Sequence, residues 1–158
     1  MARKAWIGLG LVAALAAAGC TPPPAPIGFT DVSQRDQAMA AFRSGRARLD
    51  CVGPSCMPRW LGQDDPATRQ PNGNRREAAQ QALGARNWSG LAEVVLSAGV
   101  ESDLTWYYLG VAAQGMGLNS AARTYYQAST RRSRDRSGMA CGAVIPCDGV
   151  SLPRTAQT

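Results

Sequence analysis

The sequence predicts an all-α protein, and two observations carry that prediction. From residue 75 to residue 132 the chain is rich in alanine and leucine and contains few helix breakers. Within that region Trp106, Leu109 and Ala113 lie at positions i, i+3 and i+7, which places them on one stripe of a helix. We therefore expect helical hairpins, together with an N-terminal helix and cysteine-containing loops.

The beginning of the chain has the layout of a secretory signal. Arg3 and Lys4 precede an uncharged segment over residues 5–18 that ends in small residues. A membrane-spanning helix needs about 20 apolar residues, and this segment is shorter. We expect a signal peptide over residues 1–19 rather than a permanent membrane span.

Residues 17–20, AAGC, resemble the lipobox of bacterial lipoproteins. The resemblance implies cleavage before Cys20 and acylation of that cysteine, so that membrane lipid anchors the mature chain. In such lipoproteins an aspartate after the cysteine directs retention at the inner membrane. Thr21 at that position therefore implies an outer-membrane protein that faces the periplasm. The alternative is an ordinary secretory leader in which Cys20 carries no lipid.

Residues 20–30 contain TPPPAP and should form an extended tether between the lipidated cysteine and the domain. Removal of residues 1–19 leaves 139 residues, enough for one modest domain, and lowers the formal charge from +6 to +4. Every basic residue that remains is an arginine. An arginine fork suits carboxylates or phosphates, although a GC-rich coding bias is the simpler and favoured explanation of the preference.

Four cysteines remain after Cys20, an even number in a chain that its signal directs to an oxidising compartment, and we expect disulfides. The stretches CVGPSC and CGAVIPC each contain turn-forming residues, which favours local pairing; pairing across the chain is the main alternative. Zinc is disfavoured because neither pair has the spacing of a zinc knuckle and the protein has no histidine. The four are Cys51, Cys56, Cys141 and Cys147.

The apolar spacing of Val32, Met39, Phe42 and Leu49 predicts one helix over residues 31–49. Residues 50–74 are rich in proline and glycine and predict an irregular loop, which Trp60 and Leu61 hold against the core. Beyond it we expect two hairpins, the first turned near Asn87 and Trp88 and the second at Gly117. Their helices span residues 75–84, 89–98, 103–116 and 119–132.

The second hairpin resembles a tetratricopeptide repeat, with residues of that repeat's pattern in the proper register: Trp106, Leu109, Gly110, Ala122 and Tyr126. A weaker copy lies 31 residues earlier. The resemblance implies a helical domain over residues 75–136 that binds protein partners along a concave face. Two repeats do not bury a core unaided, so we expect caps from the N-terminal segment, residues 31–74, and from the tail, residues 137–158, through Val144, Ile145 and Leu152.

The sequence does not predict an enzyme. It contains no histidine, no GxSxG motif and no phosphate-binding glycine loop, and the adjacent Asp64 and Asp65 suit a turn or helix cap. Redox-active disulfides are the remaining catalytic alternative. We expect no cofactor, no metal, no nucleic acid and no small-molecule substrate.

The polar and aromatic residues of the second hairpin are candidates for partner binding: Tyr107, Tyr108, Asn119 and Tyr125. Their alternative role is to complete the core. Arginines cluster near the end of the last helix, where they suit an anionic partner or simply the helix dipole: Arg123, Arg131, Arg132, Arg134 and Arg136.

We therefore expect a membrane-anchored envelope lipoprotein that acts as a protein-binding scaffold or assembly factor. Pilus, secretion and conjugation machines use small lipidated helical proteins to place their outer-membrane components, so by analogy we expect the partner to belong to such a machine. The alternative is an envelope protein whose arginines bind anionic cell-wall or lipopolysaccharide groups. Salt separates the two, because a charge-driven contact weakens steeply with ionic strength.

Overall fold

A computed structural model describes residue 29 and residues 31–62, 74–134, 140–142, 147–150 and 152. The predicted signal peptide, the lipidation site Cys20 and all of the tether predicted over residues 20–30 except residue 29 lie outside the described residues. So do the Asp64–Asp65 pair, Val144 with Ile145, and Arg136.

The described residues form six α-helices and no strand, so the all-α prediction is confirmed. A single 3-10 turn, Pro54–Cys56, precedes the second helix. The helices are α1 (Val32–Arg43), α2 (Met57–Leu61), α3 (Arg75–Gly84), α4 (Trp88–Ala98), α5 (Asp103–Gly115) and α6 (Asn119–Arg134). No helix among the described residues is long and apolar enough to cross a membrane.

Short polar side chains fix where four of the helices begin. In each, a side-chain oxygen accepts a hydrogen bond from a backbone N–H of the first turn, at 2.7 to 3.0 Å. At α5 the Thr105 hydroxyl also accepts from the backbone N–H of the cap, which completes a capping box. The capping residues are Asp31, Asn74, Asn87 and Ser102.

The predicted helix over residues 31–49 is too long, because α1 ends at Arg43. Gly45 follows with φ of +74°, a left-handed conformation that stops a helix and that residues with a Cβ rarely adopt. Phe42 and Leu49 are buried as the pattern predicts, but Val32 is 68 % exposed. Val32 lies in the first turn of α1, where the neighbouring residues are exposed as well. The other end of α1, with Met39 and Phe42, is buried against the rest of the protein.

The helices α3 to α6 pack in chain order, and the α5–α6 pair makes the most extensive contact. The two run antiparallel: Ser133, near the end of α6, donates to the Asp103 carboxylate at the start of α5. Farther along the pair, the Tyr126 hydroxyl donates to Gln114 at 2.7 Å. Tyr126 also lies directly over Gly110, where a Cβ would come within 2.6 Å of the ring. The absence of a side chain at Gly110 therefore sets the spacing of the pair.

Helix α1 lies against α4 and α5 and reaches α6 through one aromatic contact. Phe42 is fully buried and stacks on Tyr125 with ring centroids 5.6 Å apart. The Tyr125 hydroxyl donates to the Phe42 carbonyl at 2.7 Å and accepts from the Ala47 N–H at 3.3 Å. These bonds fix the chain that leaves α1 against the last helix.

The cysteines pair locally, Cys51 with Cys56 and Cys141 with Cys147, at Cα–Cα distances of 5.7 and 4.9 Å. Cys51 also makes two backbone hydrogen bonds to the segment between α4 and α5, which ties the first loop to the helical body. The loop contains α2, whose Trp60 is fully buried against Tyr108, as the sequence predicts for this tryptophan. Residues 57–61 are thus a helix within the predicted irregular loop.

The C-terminal segment folds back onto the start of α3 and α5. The Cys141 N–H donates to the buried Asp103 carboxylate at 2.8 Å. The Asp148 carboxylate accepts from the Arg76 guanidinium and from the Tyr108 hydroxyl, the latter at 3.0 Å, and is only 1 % exposed. Leu152 is buried in the core. The described part of the tail therefore covers the starts of α3 and α5, whereas Val144 and Ile145 of the predicted cap lie outside the described residues.

Candidate functional site

A groove of about 430 Å³ runs between the turn that follows α1 and the outer face of the α5–α6 hairpin. Gly45 and Ala47 of the turn and Thr124 and Ala128 of α6 line it. The groove exists because the left-handed turn at Gly45 carries the chain close over α6, where a Cβ would approach Ala121 at 3.4 Å.

Two stacked aromatic rings form the floor of the groove. Trp106 of α5 is half-buried and lies 5.9 Å from Tyr125, with the ring planes nearly parallel. Burial raises the pKa of Tyr125 to about 12, so its hydroxyl is neutral at physiological pH. Tyr125 itself is only 1 % exposed, so the half-buried Trp106 ring is the aromatic surface that a ligand can reach.

Charged groups line one end of the groove. Arg132 of α6 forms an ion pair with Glu101, and Glu101 also accepts a long hydrogen bond of 3.4 Å from the Trp106 indole N–H. Arg131, the adjacent residue, is exposed and forms no ion pair with any described residue. Its guanidinium leaves a planar fork of donors available at the edge of an aromatic floor.

The structure places three of the predicted binding residues in this groove: Tyr125, Arg131 and Arg132. Arg123 and Asn119 are exposed on α6 but do not line it. Arg134, at the end of α6, is also exposed and outside the groove.

Tyr107 and Tyr108 lie elsewhere on α5. Tyr107 is half-buried, with its ring 5.8 Å from Tyr126 and 6.3 Å from Tyr108. Tyr108 is fully buried beneath Trp60 and Asp148, and burial followed by the Asp148 charge raises its pKa. The alternative role for the predicted binding tyrosines was to complete the core, and Tyr108 has that role.

Two members of the groove were not candidates from sequence. Trp106 has helical spacing with Leu109, which predicted a core residue, yet its half-buried ring also lines the open groove. Glu101 lies in the short link between α4 and α5, and no local pattern indicates that it meets Arg132, some 30 positions away. Both contacts depend on how the helices pack.

Within the described residues no cluster of three or more histidine, cysteine, aspartate or glutamate side chains could hold a metal ion. No protein-family model matches the chain, and neither a curated protein nor a solved structure is significantly similar to it. The groove and the sequence features described above are therefore what indicate a function.

Proposed function

We propose that this protein is a membrane-anchored envelope lipoprotein whose helical domain binds an acidic segment of a partner protein. The observation that carries the proposal is the groove with an aromatic floor and the exposed Arg131 at its edge. Trp, Tyr and Arg are the residues that contribute most to protein interfaces when they lie together. A scaffold or assembly factor for a pilus, secretion or conjugation machine is the corresponding role.

Charge selects the chemistry of the partner segment. Arg131 can bind a carboxylate with two parallel hydrogen bonds, whereas Arg132 already has Glu101. The mature chain is basic, with a formal charge of +4 once residues 1–19 with Arg3 and Lys4 are removed from the full chain of +6, so approach of an acidic segment is electrostatically favourable. An apolar or aromatic side chain of the same segment would cover Trp106.

We further propose that α3 to α6 are two hairpins of the tetratricopeptide type. Support comes from the motif positions themselves: Gly110 lies against Tyr126, while Ala113 and Ala122 are buried. Small residues at these positions allow two helices to approach closely. In this scheme α1 and the two disulfide-bonded loops cover the ends that further repeats would otherwise cover.

The anchor is proposed from residues 17–20 and the charged leader before them. Acyl chains contribute about 0.8 kcal/mol per buried methylene, so two or three chains on Cys20 hold a small domain firmly at a membrane. Thr21 supports the outer membrane and a periplasm-facing domain. Substitution Cys20→Ser is expected to release the protein from membranes and to remove the acyl mass; retention at an unchanged mature mass would contradict the anchor.

The groove is tested by site-specific photo-crosslinking in cells that produce the lipidated protein. A crosslinking residue at Ala128, inside the groove, should capture a defined envelope protein, whereas one at the exposed neighbour Gln127 should not. Arg131→Gln should abolish the capture, and Arg123→Gln, an exposed arginine of the same helix outside the groove, should leave it intact. Equal capture at both positions, or equal loss in both variants, would overturn the proposal.

The same experiment separates the electrostatic alternative. If the arginines of α6 bind cell-wall or lipopolysaccharide anions, the captured material is not a single protein and is removed by moderate salt. It would also depend on Arg123 as much as on Arg131, because both are exposed cations on one helix.

A further inference from the structure

A second groove, of about 540 Å³, is lined by α1, by the link over residues 46–50 and by the C-terminal end of α4. Alternate residues of the link line it, as expected for an extended chain, whose side chains point to opposite sides in turn. Ala47, which lies between two of them, lines the first groove instead, and Leu49 is buried. The two grooves therefore share no lining residue. The link residues of the second groove are Arg46, Arg48 and Asp50.

Two arginine side chains line the second groove and have no ion-pair partner among the described residues. Arg46 and Arg48 are both exposed. The Arg46 Nε donates to the Ser44 hydroxyl at 3.1 Å, which leaves the Nη groups available. Alternate residues of an extended chain are about 6.6 Å apart, so two long side chains that line one cavity can reach the same anion. Arg35 of α1 does not line the groove and is paired with Glu93 at 2.9 Å.

A carboxylate and a helix C-terminus line the same groove, and both favour a positive charge. Asp50 is exposed and forms no ion pair with a described residue, the two arginines included. Its Oδ1 lies 2.7 Å from the position that a Cβ would occupy at Gly99, so the absence of a side chain there leaves room for the carboxylate. Gly99 ends α4, and the negative end of a helix dipole favours a cation. The groove thus combines groups that attract an anion with groups that attract a cation.

We propose that the second groove binds the headgroup of phosphatidylethanolamine, a phospholipid that carries both a phosphate and a primary amine. The phosphate oxygens accept hydrogen bonds from Arg46 and Arg48, and the amine donates to Asp50 at the end of α4. A ligand with both charges matches all three side chains, whereas inorganic phosphate alone would be repelled by the Asp50 carboxylate. A groove of this volume lies within the range of sites that hold small ligands.

The position of Phe29 favours a membrane lipid as the source of the headgroup. Phe29 lines the second groove and is the described residue closest in the chain to Cys20, which it follows by nine positions. Nine residues span at most about 32 Å when fully extended. An acylated Cys20 therefore keeps the groove within that distance of the membrane surface. The choice of a lipid rests on the anchor given under the proposed function, whereas the charge argument does not depend on it.

The headgroup site is tested by titrating the protein, held in an uncharged sugar detergent, with glycerophosphoethanolamine at constant ionic strength. Calorimetry should show saturable binding, and Arg48→Gln should weaken it about tenfold, the effect of losing one charge-assisted hydrogen bond. Asp50→Asn should weaken it by a similar factor but should tighten the binding of inorganic phosphate. The matched control is Arg43→Gln, because Arg43 is an exposed arginine of α1 that does not line the groove. This variant should bind as the unmodified protein does.

Flotation with vesicles tests the lipid source. The full chain with Cys20→Ser is used, because acyl chains would hold the unmodified protein on any vesicle. Phosphatidylcholine vesicles that contain phosphatidylethanolamine should recover more protein than phosphatidylcholine alone, whose quaternary ammonium has no N–H to donate to Asp50. Adding Arg48→Gln should remove the difference. Equal recovery on both vesicles before that substitution would overturn the lipid source.

Three results of the titration would overturn the site itself. They are the absence of saturable binding, an equal loss in Arg43→Gln, and a response to Asp50→Asn that is the same for glycerophosphoethanolamine and inorganic phosphate. The soluble probe needs no acyl chain on the protein. A failure of the lipid anchor therefore leaves the titration unchanged, and a failure of the headgroup site leaves acylation of Cys20 unchanged, so the two proposals fail separately.

Discussion

Gly110 shows how a single residue controls the packing of the central hairpin. A Cβ there would lie 2.6 Å from two ring carbons of Tyr126, closer than non-bonded atoms approach. The ring cannot easily move away, because its hydroxyl bonds Gln114 and its face meets Tyr107. Glycine in a helix normally costs about 1 kcal/mol relative to alanine, and here close helix packing offsets that cost.

Gly110→Ala is therefore expected to lower the free energy of unfolding by about 1 to 3 kcal/mol, the usual cost of overpacking. The measurement is urea unfolding followed by circular dichroism. Gly84→Ala is the matched control: Gly84 is also helical, no atom lies within 4 Å of the position that a Cβ would occupy there, and alanine should be neutral or stabilising by up to about 1 kcal/mol. A Gly110→Ala protein as stable as the unmodified one would contradict this account of the hairpin.

At the scale of elements, the C-terminal disulfide segment acts as a clamp on two helices. The Cys141–Cys147 bond lies between two anchors, the Cys141 N–H on Asp103 of α5 and the Asp148 carboxylate on Arg76 of α3. Asp148 adopts a left-handed φ of 53°, which is tolerated because its side chain is held at both oxygens. The segment thereby buries Tyr108 and fixes the starts of both helices.

Replacing Cys141 and Cys147 together by serine is expected to lower the free energy of unfolding by about 2 kcal/mol, the chain-entropy value for so short a loop. Because the disulfide holds the Cys141 N–H against the Asp103 carboxylate, the amide hydrogen of residue 141 should also exchange faster in this variant. The paired control replaces Cys51 and Cys56, which close a loop of similar length. That control should lose similar stability without a local effect at residue 141. Unchanged exchange in the C-terminal variant would argue against the clamp.

At the scale of the whole molecule, Tyr125 connects the first helix to the last. Its ring stacks on Phe42 of α1 and on Trp106 of α5, and its hydroxyl bonds two backbone groups near the end of α1. Residues more than 70 positions apart in the chain therefore share one buried cluster. Ionisation of this hydroxyl would place a charge inside that cluster.

This arrangement predicts alkaline destabilisation. Burial raises the pKa of Tyr125 to about 12 from 10.0, so the folded state holds its proton more tightly than the unfolded state. The contribution of the protonated Tyr125 hydroxyl to the free energy of unfolding is complete below pH 10 and is lost as the pH rises from about 10 to 12. When denaturant unfolding is measured across this pH interval, the free energy of unfolding should fall less steeply with pH in Tyr125→Phe than in the unmodified protein. Equal pH slopes in the two proteins would contradict the assignment.

The sequence by itself determined α3 to α6, because the signals that start and stop them are local, whereas it did not predict the short helix α2. Asn74 and Ser102 cap the first turns of α3 and α5, and the apolar spacing around Leu109 specifies a buried face. Turn-forming residues between Cys51 and Cys56 likewise favoured the local pairing that the structure has. Where the local signal was incomplete, as at Gly45, the predicted helix was too long.

Only the tertiary structure decided which aromatic residues face solvent and which charges meet. Tyr107 and Tyr108 are adjacent in one helix, yet Tyr108 alone is fully buried, because α2 and the C-terminal segment cover its side of α5. The groove likewise combines the turn after α1 with side chains of α5 and α6. Helix formation depends on neighbours within about four positions, whereas burial and ion pairing depend on which distant segment lies above a residue.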